Sequence, residues 1–195
     1  QWAGATIYRF NANMQQIGSF NSGIPQIMQI WGDTDNTYYT ANWGYNTINK
    51  WSGMGASQVW SYNIGTTAGA VSVDSTYVYA MRADGMQVWV LNKSNGGVVK
   101  TLNLNGGVNT TIYGALAVVG NFLYVGRANN VVYRYDKNSG NLVDSFNLVT
   151  TPYNMSFDGE FYCVSPNNNQ VFCYDVLGGG PPKVCSKGDN DCDDN

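Results

Sequence analysis

One pattern recurs five times along this chain, and it constrains the fold more than any other feature. An apolar residue opens a short run that ends on an aromatic residue or Leu: Ile7-Tyr8-Arg9-Phe10, Ile48-Asn49-Lys50-Trp51, Val88-Trp89-Val90-Leu91, Val132-Tyr133-Arg134-Tyr135 and Val171-Phe172-Cys173-Tyr174. The first positions lie 41, 40, 44 and 39 residues apart. A polar turn follows each run, as at Asn11-Ala12-Asn13, Ser52 to Gly55, Asn92 to Gly97, Asp136 to Gly140 and Leu177 to Pro182. A second strand-like run comes next in the first four copies, for example Val59-Trp60-Ser61-Tyr62 and Leu142-Val143-Asp144-Ser145-Phe146. Two further runs precede each of the last four copies, as in Ala70-Val71-Ser72-Val73 with Tyr77-Val78-Tyr79-Ala80. Between them sit short turns at Asp33 to Asn36, Asp74 to Thr76, Gly120-Asn121 and Asp158-Gly159, the last a strong two-residue hairpin signal.

Four short strands joined by tight turns and repeated at about 40 residues are the signature of a β-propeller blade. The expected fold is therefore all-β, with four-stranded antiparallel blades. The run Asn130 to Phe146, with Tyr135-Asp136-Lys137-Asn138-Ser139-Gly140 at its turn, resembles the outer strands of propeller repeats of the NHL, YVTN and quinoprotein-like type. That resemblance covers roughly residues 5–185 and implies an architecture without implying an activity. Residues 1–186 read as the propeller domain: a half-blade at 5–20, then blades at 26–62, 69–102, 114–146 and 153–185. Residues 187–195 form an acidic tail. The half-blade lacks the two inner strands that should precede residue 5, so the propeller is five-bladed if it is completed. Completion within the chain, completion by a neighbouring copy, and membership of a longer protein all remain open.

Composition excludes several functions. The 195 residues are 44% hydrophobic and only 12% charged, against about 25% charged in an average domain. With 25 Asn, 23 Gly and a single Glu (Glu160), helix is disfavoured. There is no His, which removes His-based catalytic triads, His metal ligands and the usual near-neutral proton shuttle. A net charge of -3 without a basic patch argues against nucleic acid, and no apolar run approaches the roughly 20 residues of a membrane span. The chain opens on Gln1, without an initiator Met, and reads as a mature or excerpted region.

The candidate chemistry is sparse. Asp33, Asp35, Asp74 and Asp158 fall at equivalent turns, where Asp caps its own backbone rather than forming a catalytic pair. Most aromatics alternate along strands and belong between blades. Trp43 and Tyr45 fall in a loop instead and are candidate ligand-stacking residues. The four cysteines suggest an oxidising compartment, with Cys163–Cys173 and Cys185–Cys192 the preferred pairing and Cys173–Cys185 its rival. Asn92, Asn109 and Asn154 each open an Asn-x-Ser/Thr acceptor sequence, the first two in loops and the third at the start of a strand. Asp189, Asp191 and Asp193 alternate as in the opening of a calcium loop. The closing Gly and Glu are missing, so the tail reads as a solvated acidic segment unless Ca2+ is held there; no other cofactor is expected.

These features point to an extracellular, secreted, non-enzymatic propeller glycoprotein with a structural or interaction role. Its partners would be other copies of itself, in a filament or matrix, or extracellular proteins and glycans. The alternative is a lectin-like carbohydrate-binding propeller, with a propeller enzyme behind it.

Overall fold

The computed structural model describes residues 5–11, 13–53, 57–157, 161–165, 171–175 and 183–185. Alternating apolar and polar residues with β-branched and aromatic enrichment produce strands, and Gly, Asn and Asp produce the turns between them. Four antiparallel four-stranded sheets result, each meandering in sequence order. The first blade contains β3 (Ile27–Gly32), β4 (Thr37–Asn42), β5 (Thr47–Ser52) and β6 (Ser57–Asn63). The second contains β7 (Ala68–Val73), β8 (Tyr77–Arg82), β9 (Gln87–Asn92) and β10 (Val98–Asn103). The third contains β11 (Leu116–Val119), β12 (Phe122–Arg127), β13 (Val131–Asp136) and β14 (Leu142–Asn147). The fourth contains β15 (Asn154–Phe157), β16 (Phe161–Ser165), β17 (Val171–Asp175) and β18 (Lys183–Cys185). Ahead of them, β1 (Thr6–Phe10) and β2 (Gln16–Asn21) form a separate two-stranded hairpin. The all-β propeller expectation holds.

The first strand of each blade lies at the axis: β7 adjoins both β3 and β11, and β11 adjoins β15. Burial between blades supplies the core. One apolar cluster joins blades one and two through Tyr39, Ile48, Trp60, Val71, Val78 and Leu91. A larger one runs through blades two, three and four, from Val88 and Val90 through Leu116, Leu123 and Tyr135 to Met155 and Tyr174. Such burial contributes about 1.5–3 kcal/mol for each large side chain removed from water. β7, flanked on both sides, is buried at all six positions, whereas β3 exposes Ile30 and Gly32 and β15 exposes Asn154 and Ser156. The seam between blades four and one is therefore open. The β1–β2 hairpin rests on the far face of blade one, where Phe20 meets the rings of Tyr38 and Trp51 at 5.9 Å each.

The outermost strands share a device that the repeat did not reveal. In β2, β6, β10 and β14 the register slips by one residue, leaving Ile17, Val59, Val99 and Val143 without a partner opposite. Counted back from the strand-ending Asn21, Asn63, Asn103 and Asn147, all four occupy one repeat position. All four are also 48–52% exposed. A bulge at that place bends the strand and spoils the edge for pairing with another chain.

Candidate functional site

The hub is built by one side chain. Backbone groups on the inner edges of the axial strands face one another with no strand between them, and buried peptide groups need partners. Gln29 of β3, 1% exposed, supplies them. Its amide nitrogen donates to the Leu116 carbonyl at 2.9 Å and the Met155 carbonyl at 3.2 Å, and its oxygen accepts from the Val71 N–H at 3.0 Å. One residue thus ties blade one to the other three, and the axis at this level is filled rather than open. Ser72 adds a bond from blade two to blade three, accepting from the Val118 N–H at 3.0 Å. The approach is close: a Cβ on Gly114 (φ +85°) would lie 2.5 Å from the Met28 carbonyl oxygen.

The end carrying the β-turns is held by ion pairs between neighbouring blades. Asp33, after β3, pairs with Lys93 of the β9–β10 turn at 2.6 Å. Asp74, after β7, repeats the arrangement one blade on, with Lys137 of the β13–β14 turn at 3.0 Å. Asp74 also accepts from the N–H groups of Thr76 and Tyr77, both at 2.8 Å, and from the Tyr79 hydroxyl at 2.8 Å. Burial pushes its pKa up, but those backbone bonds, Lys137 and Tyr79 outweigh it and hold the carboxyl below its ordinary value. The turn aspartates therefore cap their turns as expected, and Asp33 and Asp74 latch adjacent blades as well. Asp158 lies outside the described residues.

At the opposite end, three rings from three blades form a stack. Trp43, in a short 3-10 turn between β4 and β5, lies 6.2 Å from Tyr113, and Tyr113 lies 5.0 Å from Tyr153. Trp43 therefore stacks on its own chain, while Tyr45 is exposed. Beside them, the fully buried Arg127 donates to the Thr110 carbonyl at 2.7 Å and the Gly85 carbonyl at 3.1 Å. No carboxylate is among its bonds, and burial lowers its pKa. It pins the segment linking blades two and three, and with it Asn109, whose side-chain oxygen accepts from Arg127 at 3.4 Å.

The predicted acceptor asparagines occupy three settings. Asn92 caps its own turn, accepting from the Ser94 N–H at 2.8 Å, as Asp136 does for Ser139 one blade later. Asn109 and Asn154 are exposed. Cys163 and Cys173 face each other across β16 and β17, their Cα atoms 4.1 Å apart, and form the expected disulfide. Cys192 and the calcium candidates Asp189, Asp191 and Asp193 lie outside the described residues, as does the side chain of Cys185. Among the described residues, no three His, Cys, Asp or Glu side chains gather as metal ligands, and no helix is long and apolar enough to cross a membrane.

Two adjoining clefts mark the open seam. One, of about 550 Å3, is lined by Ile30, Trp31 and Gly32 of β3, Asn154 to Phe157 of β15, Ser165 and Val171. The other, of about 440 Å3, is lined by Thr6, Ile7 and Tyr8 of β1, Ile27 to Ile30 of β3, and Asn154. Successive side chains alternate between the faces of a strand. Lining by three consecutive β1 residues therefore places the second cleft along the edge of that strand, where β1 is unpaired among the described residues. Ile30 and Asn154 line both clefts. Sequence reasoning identified the separate N-terminal hairpin but neither the clefts nor Gln29; a lone Gln on an apolar inner strand was the available signal for the latter.

No family model matches the chain. No curated protein matches it either. Solved structures do. Hydrazine synthase of Kuenenia stuttgartiensis superposes with a TM-score of 0.61 at 16% identity, over 84% of this chain and 50% of that one. BamB of Moraxella catarrhalis gives 0.56 at 12% identity, over 95% and 61%, and the computationally designed protein Ika8 gives 0.56 at 17%, over 86% and 51%. The shared feature is the β-propeller fold. The chain spans about half to three fifths of the length of these structures.

Proposed function

We propose that the chain is an extracellular, non-enzymatic propeller module with a structural or interaction role, which joins other polypeptides, or further copies of itself, at the edge of its N-terminal hairpin. The observation that carries this reading is the edge of β1, unpaired among the described residues, beside an uncharged cleft, since an open strand edge is a template for another strand. The Cys163–Cys173 disulfide is compatible with an oxidising location. The repeat's likeness to NHL, YVTN and quinoprotein-like propellers fits a rigid scaffold. Light scattering across concentration, with amide exchange read at Thr6–Phe10, tests the proposal. Protection that grows with concentration marks other copies as partners, and protection confined to native material marks a different one. Slow exchange of these amides in the dilute monomer, unchanged in native material, would falsify it. Glycans at Asn92 and Asn109 are part of the same reading, and an intact mass equal to that of the bare secreted chain removes them.

Carbohydrate binding is the second reading, favoured by the exposed Tyr45 beside the Trp43–Tyr113–Tyr153 stack. A glycan array that returns no ligand disposes of it.

A further inference from the structure

We propose that the joined clefts between β1, β3 and β15 form a strand-acceptor groove for an extended, uncharged segment of another polypeptide, with aromatic and β-branched residues at alternate positions. The proposal rests on the interaction reading above and specifies its ligand.

Three independent observations converge. The first is selective protection of edges. Four outermost strands carry an unpaired, exposed Ile or Val bulge, at Ile17, Val59, Val99 and Val143, whereas the register of β1 against β2 is regular from Thr6 to Arg9. The extra residue at Ile17 lies in β2 and shifts the pairing only at Arg9/Phe10, so the β1 edge from Thr6 to Arg9 stays regular and suits strand addition. The second is chemistry. None of the residues lining either cleft is charged, and the shared residue Ile30 is 42% exposed. A charged segment loses hydration here without gaining a partner, and an apolar one covers Ile30 and Tyr8. The third is the chain's own precedent. In the first three blades the strand equivalent to β1 pairs on its inner side with Tyr38-Tyr39-Thr40-Ala41, Tyr77-Val78-Tyr79-Ala80 or Phe122-Leu123-Tyr124-Val125. A strand added beside β1 would pair with a third-strand equivalent, as those strands do, and the same pattern suits it.

A second copy is the poorer donor. Every such strand in the described blades is already hydrogen-bonded on both sides, so donating one would dismantle a blade. An extended segment of a different protein pays no such cost.

The test titrates the full chain with a terminally capped peptide copying residues 75–81, and with a scrambled peptide of the same composition. Saturable binding of the ordered peptide alone is expected, with slowed amide exchange at Thr6–Tyr8. Ile30→Asp, at an exposed position, should weaken binding at least tenfold, and Val99→Asp, on the blunted rim, should change it less than twofold; both variants are first checked for unchanged thermal unfolding. Absence of binding at millimolar peptide, equal binding of the scrambled peptide, or indifference to Ile30→Asp overturns the groove. Self-association that protects Thr6–Tyr8 and ignores the peptide overturns it too, while leaving the interaction reading intact.

Discussion

At the residue scale, the hub depends on Gln29. Replacing it with Leu preserves bulk but takes away the partner of the buried Val71 N–H and of the buried Leu116 carbonyl. An unsatisfied buried group costs about 1–3 kcal/mol. Urea unfolding of Gln29→Leu should therefore show a loss of about 2 kcal/mol or more, and an unchanged midpoint refutes the role. The Asp74 latch makes a pH-dependent contribution. Its folded pKa lies below the unfolded value of about 3.9, so its stabilisation is complete above that value and is lost as pH falls through the folded pKa. Asp74→Asn should cost about 1–2 kcal/mol at neutral pH, and its deficit should shrink as the pH falls below about 4 in acid titrations of stability. Turn capping by Asp74 was legible in the sequence, because Asp followed by Ser-Thr is a local signal. The pairing with Lys137, 63 residues away, was not, because it depends on how blade two meets blade three.

At the element scale, hydrophobic alternation and turn residues carried most of the information. The strands around Val88, Val132 and Val171 fall where apolar periodicity and the flanking Asn, Asp and Gly place them. The bulges escaped notice because an exposed Val in an alternating strand looks the same whether or not its neighbour shifts register. Their function predicts a tolerance and a failure. Val99→Lys should leave thermal stability within about 0.5 kcal/mol, as for most exposed substitutions. Deleting Val99, by contrast, straightens the edge of β10 and should produce concentration-dependent association in light scattering; a monomeric deletion variant would argue that the bulges are incidental. Gln58 shows why composition alone misleads about amides. It accepts from the Asn49 side chain at 2.9 Å, and Asn49 in turn accepts from Asn42 at 2.7 Å, so part of the Asn content builds a ladder inside blade one rather than a polar surface.

At the scale of the whole molecule, stability is distributed unevenly around the ring. Blades one to three are joined by two ionic latches as well as by apolar clusters, whereas blade four shares the larger cluster on one side and borders an open seam on the other. The disulfide across β16 and β17, closing a separation of 10 residues, reinforces that blade. Its reduction should cost about 2–3 kcal/mol, and amide exchange should accelerate in blade four well before blade two. Uniform acceleration would show that the ring unfolds as one unit instead. Sequence alone determined the period, the number of strands per repeat and the separate N-terminal hairpin, because each is written in local alternation and turn chemistry. Tertiary structure alone decided that Gln29 fills the axis, that the seam falls between blades four and one, and that β1 borders a cleft. Those outcomes depend on the angles at which separate sheets pack, and such angles are set by contacts between residues far apart in the chain.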